Sequence, residues 1–315
     1  MSISNLVSLR SSFFLLLVIT WSSAASFPSA AAGAEGPKQL LIRCDDIGMS
    51  HTVNMAVREL IETGMPFSAS VMIACPWYLE AVDILKANPQ IGVGIHLTLN
   101  SEWRSYKWGP VLGATAVPSL VDDNGHFYAS EAEFASAGAD PNEVEMELRA
   151  QIERALDAGL RVDYLDYHML TATSTPEMTA IVEKLAAEYG LGLARYFGET
   201  AVSIWGEEPE DKLSILLDHV RAIRPGLNLL VIHLGMETPE MSAMVDMNNE
   251  RDPYRVAIHR QAELDAITSP AFRAAIEAAG IELLTYKNVV AEIGLDSMAP
   301  PTDLNSYNSD FVERD

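Results

Sequence analysis

Seven short apolar runs punctuate the chain: LLIR (40–43), SASVMIA (68–74), IGVGIHLTL (91–99), VDYLDY (162–167), LGLARY (191–196), LNLLVIH (227–233) and IELLTY (281–286). Each has strand length, and helical punctuation fills most of the gaps, so the pattern predicts parallel strands joined by crossover helices. Asp140 and Pro141 open a helix that Gly159 closes; Thr175 and Pro176 open one that stops near Gly190; Ser269 and Pro270 open one that Gly280 closes. A capping side chain followed by proline, with glycine at the far end, is the usual start and stop of a helix. Two more helices are expected over about 52–63, before Gly64, and over 76–88, before Pro89. Residues 100–139 are rich in Gly, Ser and Trp and show no clear period, which reads as an elaborated loop over one face. The polar stretch after Ala299 reads as a loose tail.

Seven β/α units either close into a barrel or lie open as a doubly wound sheet, and the polar residues bear on the choice. Asp45 and Asp46 follow the first run, His96 sits late in the third, Asp166 and His168 close the fourth, Arg195 closes the fifth and His233 the sixth. All lie at carboxyl ends. In a barrel those ends meet around one mouth, whereas an open sheet would spread them over roughly 20 Å at about 4.8 Å per strand. The expectation is therefore an α/β fold, a seven-stranded β/α barrel, as one domain over residues 37–298.

The N-terminus changes the picture of where the chain works. Arg10, the apolar FFLLLVITW (13–21) and the small-residue SSAASFPSAAAGA that follows read as an export signal over residues 1–30, too short in its apolar core for a stable membrane anchor. The expected location is periplasmic or secreted. With 44 acidic against 21 basic residues, the formal charge of −23 repels nucleic acid and anionic membranes. Cys44 and Cys75 each end an expected strand; they are either a disulfide of an exported protein or small buried apolar residues.

Two histidines and a carboxylate suit zinc or a similar divalent ion that keeps a position open for water. A dication beside Asp45 and Asp46 would also offset the repulsion between adjacent anions, leaving one acid to ligate and the other to act as a base. Each residue has a plainer reading. A single histidine at a strand end is more often a hydrogen-bonded structural group, and adjacent acids there can simply cap the next helix. Convergence of all of them on one end favours the site. His51, His126, His219 and His259 fall in loops or helices and read as structural. Arg195 is either an ion-pair partner or a group orienting a catalytic acid, and Asp166 suits the outer partner of a ligand histidine. Trp103, Tyr106 and Trp108 would suit stacking on sugar rings, or an ordinary packed loop.

Taken in order, DDIGMSHTVNMAV, SASVMIACPWYLEAV, VGIHLTLN, AQIERALDAGLRVDYLDYHM, LARY, VIHLG and HRQAELDAITSPAFRAAIEAAGIELLTY resemble the YdjC-like carbohydrate deacetylases, which include chitooligosaccharide deacetylases. The resemblance implies a metal-dependent hydrolase with a β/α barrel of the glycoside hydrolase/deacetylase kind, acting on an N-acetylated carbohydrate. It implies Asp46, His96 and His168 as ligands of one divalent ion, Mg2+ or Zn2+, with Asp45 as general base and His233 as general acid. Two departures stand out: Leu170 replaces the usual histidine two positions after His168, and Leu234 replaces the proline that usually follows the late histidine. Rival expectations are an O-acetyl esterase or phosphoesterase on the same barrel, or an exported sugar-binding protein without catalysis.

Overall fold

Alternating apolar and small residues along successive strands decide the architecture of this protein, whose computed structural model describes residues 36–249 and 252–301. The strands are β1 (Lys38–Ile47), β2 (Ser68–Val71), β3 (Gly92–Leu97), β4 (Tyr164–Tyr167), β5 (Gly192–Leu193), β6 (Thr200–Ser203), β7 (Gly226–Ile232) and β8 (Glu282–Leu284). Between and after them run α1 (His51–Glu62), α2 (Tyr78–Ala87), α3 (Glu131–Ala137), α4 (Pro141–Asp157), α5 (Pro176–Tyr189), α6 (Lys212–Ala222), α7 (Pro239–Ser242), α8 (Val256–Thr268), α9 (Pro270–Ala278) and α10 (Tyr286–Ile293). The sheet is parallel throughout and ordered β5-β4-β3-β2-β1-β7-β6, with β8 paired to the first half of β1.

This order cannot be flat. β5 and β6 stand at opposite ends of it, which in a flat sheet puts them about 29 Å apart. The chain from Leu193 to Thr200 reaches at most about 25 Å fully extended. The sheet must curl until its ends approach, giving the expected barrel, hydrogen-bonded around most of its girth and open between β5 and β6. Leu41, Tyr164, Leu229, Val231, Leu284 and Tyr286 accordingly share one inner cluster although they come from both halves of the sheet. Tyr164 and Tyr286 stack there at 4.2 Å, and the Tyr164 hydroxyl meets Ser70 Oγ at 2.7 Å. Glycine is required opposite them: a Cβ on Gly94 would lie 2.3 Å from the Tyr164 ring. The alternate residues Leu40, Ile42, Val93, Ile95 and Leu230 point outward into the larger core beneath the helices.

All seven expected runs contain strands, and the five expected helices appear within a few residues of their predicted limits. The strand missed is β6: only Ala201 and Val202 of its four residues are apolar, and all four are at least partly exposed. The last expected run yields just three strand residues, because Thr285 turns the chain into α10 as its N-cap, accepting from Asn288 N at 3.2 Å. Both cysteines are unpaired and buried, which settles their reading as small core residues. The expected export signal lies outside the described residues, as does nearly all of the expected tail.

Candidate metal centre

Strand periodicity places most of the site. Side chains two apart share a face, so the inward row containing Leu41 continues through Arg43 to Asp45, Gly94 leads to His96, and Tyr164 leads to Asp166 and His168. His96 and Asp166 are register partners on β3 and β4. Asp46 has the wrong parity and needs a separate device. Between Cys44 and Ile47, β1 carries one more residue than its partner β2, and Asp46 adopts φ 66°. This left-handed bulge re-aims the side chain, at a backbone cost characteristic of functional positions. Two adjacent acids thereby reach one buried cluster around His96.

Asp46 Oδ1 lies 3.4 Å from His96 Nε2 and 3.4 Å from His168 Nδ1, and the two nitrogens are 3.3 Å apart. All three residues are buried, and Asp46 Oδ1 has no hydrogen-bond partner among the described residues. A buried, unsatisfied carboxylate oxygen aimed at two imidazole nitrogens is costly on its own and is what a cation ligand looks like without its cation. The residues present therefore fit a divalent ion.

Each imidazole is held from behind by a carboxylate. Asp166 Oδ1 meets His96 Nδ1 at 2.9 Å, and Glu102 Oε2 meets His168 Nε2 at 3.0 Å. Such partners fix which nitrogen faces inward and raise its basicity. Burial alone would lower both imidazoles, but Asp166 and Asp45 lift His96 to about 10, and Glu102 and Asp46 lift His168 to about 9. A cation held here would compete with protons for the same two nitrogens. Burial opposes ionisation of Asp46, yet Arg260 and the two imidazoles hold its carboxyl well below the usual range.

A second trio, Asp45, His96 and Asp166, is close enough to consider as ligands. Arg43 already fills it: its Nε and Nη2 donate to both Asp45 oxygens at 2.7 Å, and Nε stands 3.0 Å from Asp166 Oδ2. Asp45 is therefore held outside the trio of Asp46, His96 and His168, beside it and not in it.

His233 follows β7 directly. Its backbone N–H donates to Glu263 Oε2 at 2.6 Å, and Glu263 Oε1 pairs with Lys212 Nζ at 2.8 Å, both side chains fully buried. Lys212 also donates to the carbonyls of Ile204 and Trp205, at 2.9 and 3.1 Å. The Trp205 ring sits 5.2 Å from the His233 ring. Burial pushes the His233 imidazole below its ordinary value, and its Nδ1 has no hydrogen-bond partner among the described residues.

Asp46, His96 and His168, read from the sequence as ligands, lie together with Asp45 beside them, and Asp166 stands behind His96. Arg195 is buried two residues beyond β5 with φ 71°, its backbone N–H donating to Glu199 Oε1 at 2.9 Å. The guanidinium gripping Asp45 belongs to Arg43. Trp103 and Trp108 are 1 % and 3 % exposed, so they are loop packing and cannot stack on a sugar; Tyr106 is half-buried and donates to Met49 O at 2.5 Å. His51 pairs with Glu80, His126 lies 3.8 Å from Asp122, and His259 meets Asp252, all apart from the metal trio, while His219 lies on α6. Leu170 has φ 60° and packs against the core, and Leu234 is fully buried. An apolar cavity of about 480 Å³ lies on the outer side of β6 and β7 against α6; none of the site residues line it.

Glu102 and Arg260 escaped the sequence reading. Glu102 lies in the loop just past β3, and no local pattern distinguishes it. Arg260 did carry a signal: with Val256, Ala257, Glu263, Leu264 and Ile267 it falls on the buried stripe of α8, where a charge needs a partner.

The model of a family described as YdjC-like protein matches residues 39–278. A carbohydrate deacetylase of Brevibacillus brevis is 36% identical over 181 residues, which cover 56% of this chain and 65% of that protein. A carbohydrate deacetylase of Thermus thermophilus is 31% identical over 277 residues, covering 78% of this chain and 97% of that one. A solved structure from Enterococcus faecalis, provisionally described as a cellobiose-phosphate cleavage protein, superposes with a TM-score of 0.68 at 24% identity over 81% of this chain and 99% of its own. That likeness concerns the fold. The chain spans about two thirds or less of several of the curated relatives it matches, although it covers the Thermus protein almost completely. A family match running from β1 through α9 takes in every residue of the metal trio, and on that extent this chain belongs to the YdjC-like family.

Proposed function

We propose that the protein is a metal-dependent hydrolase that removes N-acetyl groups from amino sugars or chitooligosaccharide-like carbohydrates. One observation carries the reading. Asp46, His96 and His168 form a closed triangle of donors, while Asp45, its immediate neighbour, is gripped by Arg43 and spared from ligation. The similarity to carbohydrate deacetylases supplies the substrate class.

A divalent cation at the trio would supply Lewis acidity toward a carbonyl oxygen and make a water molecule more acidic. The protein does the rest. Asp45, oriented by the two Arg43 hydrogen bonds, takes the proton of the water that attacks the acetyl carbonyl. His233 gives a proton to the sugar nitrogen as the C–N bond breaks, releasing acetate and a free amino sugar. A lowered imidazole pKa makes the protonated ring a stronger acid at that step. The Lys212–Glu263 pair, through the His233 backbone, holds that ring's attachment in place.

Donor type favours zinc over magnesium: two imidazoles and one carboxylate would suit zinc, whereas magnesium prefers oxygen donors and retained water. Export after cleavage of residues 1–30 belongs to the same proposal, supported by the apolar run at 13–21 and the small residues after it; N-terminal sequencing of the secreted protein tests it.

The activity test measures acetate release from N-acetylated and O-acetylated oligosaccharides by the wild type and Asp45→Asn. The reading expects N-acetyl cleavage by the wild type, and Asp45→Asn with its metal retained and turnover lost. Retained turnover would remove the base assignment; cleavage of O-acetyl esters alone would move the substrate class; binding without product would make the protein a sugar binder.

A further inference from the structure

Arg260 presents a feature that the proposed reaction does not use. It is 2 % exposed, and Nη2 donates to Asp46 Oδ2 at 2.6 Å. Its guanidinium carbon lies 5.7 Å from the Trp103 ring centre and 5.3 Å from that of Trp205, so the cation is wedged between two indoles. The stem of the side chain is packed as closely, since a Cβ on Gly235 would lie 3.0 Å from Arg260 Cβ and 3.1 Å from Cδ. Among the described residues, Arg260 Nε and Nη1 have no hydrogen-bond partner. A buried arginine held this tightly for a single hydrogen bond acts mainly on that one partner. Meanwhile Asp46 Oδ1, the oxygen Arg260 does not touch, is the one aimed at the two imidazoles.

We infer that Arg260 is a positioning residue that confines Asp46 to one ligand oxygen and holds the centre's affinity for its ion below what three donors would otherwise reach. The inference rests on the metal reading above. Its logic is opposite in sign to that of Asp166 and Glu102. Those carboxylates make their imidazoles better donors, so their loss weakens metal binding. Arg260 draws charge from the ligand carboxylate, repels a dication and satisfies Asp46 when no ion is bound. Its loss therefore destabilises the metal-free form, frees the second oxygen to chelate, and tightens binding. A less fully neutralised ion is also the stronger Lewis acid, which gives the restraint a use in hydrolysis.

The test uses the full chain, stripped of metal, as wild type, Arg260→Met and Arg260→Lys. Zinc affinity is read by competition with a chromophoric chelator, and the cobalt(II)-loaded proteins by their visible absorption. Methionine keeps most of the length between the indoles and removes the charge; lysine keeps the charge. Arg260→Met is expected to bind zinc at least about tenfold more tightly than the wild type, because it removes a positive charge that repels the dication at short range. Its cobalt bands should weaken as Asp46 contributes a second oxygen, and its metal-free form should melt lower, with zinc restoring the loss. Arg260→Lys should stay near the wild type in affinity. A merely structural arginine would leave the cobalt spectrum unmoved and lower the affinity. Equal or weaker zinc binding by Arg260→Met, or equal tightening in both variants, overturns the inference. If Arg260→Met does not fold even with zinc, tightening in Arg260→Lys alone is the contradicting result and wild-type affinity there the supporting one. Absence of zinc uptake by the wild type would instead remove the metal reading underneath.

Discussion

The strand-borne and loop-borne halves of the centre are built by different means. Asp45, His96, Asp166 and His168 stand on inward rows of β1, β3 and β4 or at their ends, where the two-residue period alone fixes their direction. Glu102, His233 and Arg260 come from a long loop, a strand exit and a helix, and each is held by a tertiary contact: Glu102 against His168, the His233 backbone against Glu263, Arg260 between two indoles. In the proposed reaction the first group carries the base and two of the metal donors, whereas the second carries the acid, His233, and two contacts that set how tightly the donors are held. Substitutions in the two groups should therefore fail differently.

The largest effect belongs to the strand half. His96→Ala or His168→Ala removes one of three donors and should reduce bound metal from about one ion per chain to almost none, with activity falling on the order of a thousandfold or more; elemental analysis beside acetate release checks both. Folding should survive in His96→Ala, where Asp166 keeps Arg43, whereas His168→Ala also strands the buried Glu102 carboxylate and should lose stability as well. Metal content near the wild-type level in either variant would break the division.

Lys212→Met comes next and should show the opposite profile. It strands Glu263 as a fully buried, unpaired charge, with an expected loss of about 3–5 kcal/mol in denaturant unfolding. Metal content should hold, since neither residue touches the trio. Glu102→Gln is smaller: loss of the carboxylate behind His168 should weaken zinc affinity about 10–100-fold while leaving stoichiometry unchanged at saturating zinc. The smallest effect is metal removal from the wild type. Each imidazole keeps its carboxylate and Asp46 keeps Arg260, so chelation should lower the melting temperature by only a few degrees, readable by calorimetry.

The same division explains what the sequence made legible. Strand periodicity is local, so seven of the eight strands and the place of His96, Asp166 and His168 at or near strand ends follow from pattern, whereas β6 and the spatial order of the strands rest on pairings between distant segments. Asp46 was legible as chemistry but not as geometry. On simple alternation it faces away from Asp45, and only the bulge with its positive φ brings both acids to one side. Glu102 reaches His168 across 66 residues and Arg260 reaches Asp46 across 214, distances over which no spacing rule operates. Arg260 at least left a trace as a charge on the apolar stripe of α8. The loop aromatics misled in the other direction. Trp103 suggested a sugar platform by composition, yet it is buried and serves as one of the walls around Arg260.

The most direct test of the centre is anomalous diffraction from zinc-soaked crystals, recorded on either side of the zinc absorption edge. The account predicts one strong peak within bonding distance of Asp46 Oδ1, His96 Nε2 and His168 Nδ1, with Asp45 still joined to Arg43. A peak among Asp45, His96 and Asp166 with Arg43 displaced, or no peak at the trio at saturating zinc, would contradict it.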